Sequence, residues 1–430
     1  MANIPLWAKN CSYSIHLEWR LLRNMKYHML IGLMGGLGLT GCDDLLTETP
    51  DERTIFDAPL DGLTGAQLKG HLDGDEAFGQ TFTVETGLGP VFNQTACLNC
   101  HPDEGRGHPS TNLTRFGRMA EDGTFDVMAE FGGPQLQDRS IPGYPAETLP
   151  PDATGISVRG GPVAVGLGLV EAITDETILS NEDPDDADGN GISGRANFVA
   201  PPDYLQPSSD KIRRDGKLLG RFGRKATAID LLHQSVNAYK QDMGISTDFE
   251  PEDIFNPAVG STLGDNVPDP EVSAETVRNV VIYLQTLRPP LRRNEDDPTV
   301  RAGEAFFSSI GCAACHLPEM RSGTSGIDVL SLKPVRLYSD LLLHDMGPAL
   351  ADNFPEGQAT GTEWRTTPLW GLGIVGNLLG GTPFYLHDGR TSDLVEVIDL
   401  HLGEAEAARN RFFQLADPEQ ESVLTFLNSL

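Results

Sequence analysis

The sequence predicts a mainly α fold made of two internally duplicated domains with long loops. Three observations lead there. Landmarks recur in the same order in both halves, each half closes on a similar amphipathic helix, and 47 glycines and 30 prolines punctuate the stretches between. At 430 residues the chain is long enough for two domains, and 39% apolar with 22% charged residues is a globular balance. Lys plus Arg total 32 against 62 Asp plus Glu, a formal charge of −30, which repels phosphate backbones and excludes nucleic acid as a partner.

Residues 1–41 read as a signal or targeting segment. Lys26 supplies a positive charge, Met29 to Leu39 are apolar or glycine, and Leu39-Thr40-Gly41-Cys42 ends the run with small residues. An apolar helix that short covers only about 16 Å, too little to span a bilayer. The stretch before Met25, with Trp7, Cys11 and Trp19, has no signal character and fits a start codon placed too early. Leu39 to Cys42 resembles a bacterial lipoprotein signal whose cysteine becomes the lipidated first residue, and Asp43 resembles the mark that keeps such proteins at the inner membrane. The expected location is the periplasmic face of that membrane, anchored through Cys42; a soluble periplasmic protein is the alternative. Residues 42–60 read as a linker.

The duplication begins with Gly89-Pro90-Val91-Phe92 ahead of Cys97 and Gly303-Glu304-Ala305-Phe306 ahead of Cys312. Arg159-x-x-Pro162 and Gly166-Leu167-Gly168 follow the first; Arg365-x-x-Pro368 and Gly371-Leu372-Gly373 follow the second. Ser273 then caps a helix with Val277, Val280, Val281, Leu284 and Leu287 on one face, stopped by Pro289 and Pro290. The last helix has Asp417 as cap, Pro418 at its first position and Val423, Phe426, Leu427 and Leu430 on one face. The domains are accordingly 61–290 and 291–430, with the boundary in the Arg288 to Pro298 stretch.

Four of six cysteines lie in Cys97-Leu98-Asn99-Cys100-His101 and Cys312-Ala313-Ala314-Cys315-His316, the c-type haem attachment pattern. Two thiols at this spacing reach two vinyl groups of one macrocycle while the next imidazole takes an axial position on iron. Zinc needs four donors, and no further cysteine cluster completes either pair. A thioredoxin-like site wants a βαβ context and no histidine there. The prediction is therefore two covalently attached haems c, with His101 and His316 as proximal ligands, in two cytochrome c-like domains.

Cys97 to Gly107 (CLNCHPDEGRG), Arg159 to Thr174 (RGGPVAVGLGLVEAIT), Trp364 to Gly373 (WRTTPLWGLG) and Tyr385 to Arg390 (YLHDGR) resemble the bacterial di-haem oxidoreductases described as peroxidases or thiol oxidoreductases. More distantly they are similar to di-haem cytochrome c peroxidases and the enzyme that matures tryptophan tryptophylquinone. The resemblance implies that the second haem takes its distal ligand from the segment Leu394 to Leu402, where His401 is the match; His344 and Met346 compete. It also implies a haem-proximal His387-Asp388-Gly389-Arg390 turn. Arg390 and Arg365 are candidates for haem propionates, as anionic groups in so acidic a protein need cations. The alternative for His387 is a cap on the next segment, and Trp370 is either an inter-haem electron relay or a core tryptophan. Where the family often has tryptophan, this chain has Arg224.

The first haem has no obvious distal partner beyond His71 and His108, so an open iron served by Glu171 as general acid-base is the catalytic reading. Asp186, Asp188 and Asn190 followed by Gly191 repeat the opening of a calcium loop, although Asn197 stands at its twelfth position instead of glutamate. The resemblance raises the calcium reading, since related peroxidases hold that ion between domains. The expected function is a peroxidase-like oxidoreductase. A small electron-donor protein or quinol-linked cytochrome supplies the C-terminal haem, which passes electrons to the N-terminal haem for peroxide or another small oxidant. The rivals are a non-catalytic electron-transfer cytochrome and an oxidase of thiols or a partner protein.

Overall fold

The computed structural model describes residues 55–430; the signal segment, Cys42 and most of the expected linker lie outside them. The helix Gly65–Phe78 starts at Thr64, whose hydroxyl accepts the Gln67 N–H while the Gln67 side chain accepts the Thr64 N–H. It packs across Ala274–Thr286, which Ser273 caps as the sequence predicts. The two approach at Gly74, where a Cβ would lie 2.1 Å from the Asn279 carbonyl oxygen. Pro298–Ser309 packs across Asp417–Ser429 by the same device, a Cβ on Gly303 falling 1.9 Å from the Ser422 oxygen. One turn further, Phe78 meets Tyr283 with ring centres 5.5 Å apart, and Phe307 meets Phe426 at 5.2 Å. The landmark equivalent to Gly303 is thus Gly74, not Gly89. The second pair of landmarks does match: Gly168 lies against the Gln285 oxygen and Gly373 against the Asn428 oxygen, each leaving a Cβ only 2.0 Å. The last helix begins at Asp417 itself, with the Glu419 carboxylate accepting the Ala416 N–H at 2.8 Å.

A mainly α class does not hold. The described residues are 32% helical and 13% strand, a mixed α/β architecture with several small antiparallel sheets. The longest ladder pairs Leu113–Met119 with Gly155–Arg159, from Leu113 opposite Arg159 to Gly117 opposite Gly155. Its alternation is inverted: Ile156 and Val158 face outward while Ser157 is fully buried, so the apolar pattern that marks a core strand is missing. Most other strands are two or three residues long, too short for a period of two to show.

Phe307, Tyr338, Phe412, Val423 and Phe426 form a small core beside the second motif. A larger core takes Phe78, Val165 and Tyr283 together with Trp370 and Tyr385. Among the described residues no helix is long and apolar enough to cross a membrane.

Candidate functional site

Each motif sits on a single helical turn, Cys97–Cys100 and Cys312–Ala314, and in each the histidine N–H bonds the carbonyl of the first cysteine at 3.0 Å. All four cysteines are unpaired. Burial pushes the Cys97, Cys100 and Cys312 thiols up to about 12.

Three imidazoles share one arrangement. His101 Nδ1 meets the Pro162 carbonyl at 2.7 Å, His316 Nδ1 meets that of Tyr338 at 2.9 Å, and His401 Nδ1 meets that of Val397 at 2.7 Å. A carbonyl only accepts, so each Nδ1 carries the proton and donates. Burial lowers all three pKa values, that of His316 to about 4. Each ring is therefore neutral with a lone pair on Nε2, the form that binds iron. Phe78 lies 6.2 Å from the His101 ring and Phe307 lies 6.1 Å from that of His316, a second sign of the duplication.

A cavity of about 420 Å³ is lined by Cys312, Cys315, His316 and His401, and its wall also takes in Pro162, whose carbonyl holds His101. That volume lies within the ~300–1,000 Å³ of small-ligand sites. Leu369, Leu372, Val397, Phe412 and Leu427 make much of it apolar; Arg106, Arg224 and Arg365 lie in its wall, together with Arg409, which is paired to Asp399, and the exposed Arg411. Two thiols at the attachment spacing, two lone-pair imidazoles on one space and an apolar wall fit a haem.

His344 is arranged differently. Its Nε2–H donates to Asp340 and its Nδ1–H to Glu404, both at 2.8 Å. Burial alone would lower its pKa, but the two carboxylates raise it to about 12, and Glu404 falls to about 2 despite its own burial. An imidazolium with both nitrogens donating has no lone pair for iron. Met346 lines the cavity.

The remaining expected residues are spread out. Trp370 lies in the cavity wall and in the core, packed over Gly166, where a Cβ would meet its ring at 2.5 Å. His387 also lines the cavity, stacked on Trp364 with ring centres 3.9 Å apart; burial lowers its pKa to about 3. Arg390 is exposed and bound to Asp388 at 2.7 Å. Glu171 is away from the cavity lining; it accepts the Leu231 N–H at 2.8 Å and the Gln285 amide at 2.6 Å, tying three segments together. His71 bonds Thr286 at 2.8 Å, and exposed His108 bonds Ser110 at 2.8 Å.

In the acidic loop, Asp183 joins Asp186 and Asp188 with ligand atoms within 4.8 Å, while the Asn190 side chain is bonded to Asp188. Asn197 is buried elsewhere, donating to the carbonyls of Lys225 and Glu356. Ser193 at the end of the loop donates to Glu404 through both N–H and hydroxyl.

Sequence reasoning missed Arg106 and Trp364 and gave Arg224 no role. It also missed a buried cluster near the first thiols, where Gln135 donates to Asp242 at 2.8 Å and to Asn93 at 3.1 Å. Arg106 and Trp364 lie inside segments that carry the family resemblance, which did not single them out; the others come from separate segments without periodicity, so no local signal marks them.

A family model described as "Di-haem oxidoreductase, putative peroxidase" matches residues 148–430; the first Cys-x-x-Cys-His lies ahead of that segment. A search of curated proteins finds no match. Among solved structures, hydrazine synthase of Kuenenia stuttgartiensis is similar at 14% identity, covering 94% of this chain and 100% of that one with a TM-score of 0.31, a likeness too weak to support any conclusion. The family match spans well over half of the sequence and agrees with the paired motifs, and on that ground the chain belongs to the di-haem oxidoreductase family.

Proposed function

We propose that the protein is a periplasmic c-type di-haem oxidoreductase with peroxidase-like activity. One haem is bonded through Cys97 and Cys100 and the other through Cys312 and Cys315. The observation that carries this reading is that His316 and His401 line one apolar cavity beside Cys312 and Cys315, each with Nδ1 tied to a carbonyl and Nε2 unprotonated. Two such ligands saturate an iron, which suits a relay. The N-terminal site is assigned to the oxidant, as the sequence reading expects; of its candidate second ligands, His108 is exposed and accepts the Ser110 N–H at Nδ1, while His71 is buried against Thr286.

When bound, haem supplies one-electron iron chemistry and, where a position is open, peroxide reduction. The overall reaction consumes hydrogen peroxide, two protons and two electrons and yields two waters. The electrons come from a small donor protein or quinol-linked cytochrome and enter at the C-terminal site. The chain's own contribution is to fix the imidazoles through the Pro162, Tyr338 and Val397 carbonyls and to keep water from the cavity with its apolar wall. Lipidation at Cys42 and a calcium ion at Asp183, Asp186 and Asp188 complete the reading.

Electron paramagnetic resonance of the oxidised protein tests it. One low-spin and one high-spin signal are expected. Two low-spin signals in the oxidised protein, with the ferric haem left after one-electron reduction still low-spin, would overturn it in favour of an electron carrier.

A further inference from the structure

Most buried cations of this acidic protein have a carboxylate partner. Arg115 pairs with Glu356 at 3.1 Å, Arg159 with Asp352 at 3.4 Å, Lys225 with Asp352 at 2.8 Å, and Arg221 with Asp175. Arg106, Arg224 and Arg365 are different. All three line the cavity, and among the described residues none has a carboxylate oxygen within 4.0 Å.

Their hydrogen bonds go to backbone carbonyls instead. Arg224 Nη2 donates to Gly160 at 2.7 Å, Arg365 donates to Gly223 at 2.9 Å and to Thr366 at 3.0 Å, and Arg106 donates to Leu386. The Nε atoms of Arg106 and Arg224 are buried without an acceptor, and only 9% of Arg224 is exposed. Burial depresses all three guanidinium pKa values, and Arg224 is further depressed by the charges of Arg106 and Arg365. Asp388, the acid that partly offsets this at Arg106 and Arg224, is itself held by Arg390. Uncompensated buried charges of one sign are costly, and guanidinium forks are shaped to bind carboxylates.

We propose that Arg106, Arg224 and Arg365 form a carboxylate-binding subsite in the cavity wall that takes the propionates of the haem held by Cys312, Cys315 and His316. This rests on the haem reading above. It assigns Arg224 and Arg106 a duty that the sequence alone offered to Arg390.

The test is a potentiometric titration of the purified full chain, followed by the absorbance of each haem. Replacing Arg224 with glutamine leaves a propionate charge uncompensated and favours oxidised iron. One haem should then show an approximately tenfold lower reduced-to-oxidised ratio at fixed potential, 59 mV for a one-electron couple, while Arg224→Lys should restore it. If Arg224→Gln does not fold, Arg365→Gln is read in the same way. Unchanged potentials in a variant that carries two haems by mass would overturn the subsite, whereas absence of covalent haem in the wild type would overturn the haem reading itself. A free carboxylate is the other source of the same chemistry. Added acetate should leave the wild-type potentials unchanged; a saturable shift that Arg224→Gln abolishes would overturn the propionate assignment.

Discussion

Replacing His344 with glutamine removes the cation from a site built of two carboxylates. The imidazolium donates to Asp340 and Glu404 at 2.8 Å each, and both His344 and Asp340 are buried. Glu404 also accepts from Ser193 and Asp345, so the cluster joins the 183–193 loop to the strand Leu343–Asp345. Breaking a buried ion pair from one side costs about 3–5 kcal/mol, because the remaining charge has no compensation. The pH dependence has a defined sign. Glu404 is depressed to about 2 in the fold, so its contribution is present above the ordinary carboxylate range and is lost as pH falls through 2. His344 is raised to about 12, so its contribution is full below the ordinary histidine pKa and is lost only as pH rises through 12. In the variant Glu404 loses its cation and protonates more readily, which relieves the unpaired charge, so the stability gap should be larger at pH 7 than at pH 4. Urea unfolding of the full chain, followed by far-ultraviolet circular dichroism at both pH values, measures the gap. A difference below about 1 kcal/mol at pH 7, or one that does not narrow on acidification, would refute the charged-cluster argument.

Three further outcomes are expected. Gly303→Ala and Gly74→Ala should each lower the melting temperature, since the new Cβ meets a carbonyl oxygen at 1.9 and 2.1 Å and overpacking costs ~1–3 kcal/mol, while Gly326→Ala, with nothing within 4 Å, should stay near wild type. His401→Ala should convert a low-spin iron signal to high-spin, and an unchanged spectrum would remove His401 from the ligand set. Changing Cys312 and Cys315 together to alanine should reduce the intact mass by one covalent haem beyond the sulfur loss; an unchanged haem content would refute attachment there.

What was legible in the sequence was whatever chemistry compresses into a few adjacent residues. Cys-x-x-Cys-His turns, the Ser273 cap and the Gly-Leu-Gly pairs all lie where their spacing puts them. The small sheets were not legible because their ladders are short or, as at Ile156 and Val158, carry the apolar residues outward. The arginine cluster was invisible for another reason. Arg106, Arg224 and Arg365 are far apart in sequence, and what sets them apart from other arginines is burial without a carboxylate partner, a property of the folded environment.

The halves also show how a duplication diverges while its landmarks persist. Arg159-x-x-Pro162 and Arg365-x-x-Pro368 occupy corresponding places in the sequence. In the first half Arg159 is ion-paired to Asp352 and the Pro162 carbonyl fixes His101. In the second, the carbonyl of Tyr338 fixes His316, so Pro368 is released from that duty and lines the cavity. Arg365, freed in the same way from a carboxylate partner, joins Arg106 and Arg224 in the wall. One turn from each helix crossing a phenylalanine lies beside the histidine alike, Phe78 by His101 and Phe307 by His316; what has changed is which segment's carbonyl fixes the ring. One duplicated arrangement can thus give two sites with different surroundings, which is the asymmetry that the proposed division into a relay site and an oxidant site needs.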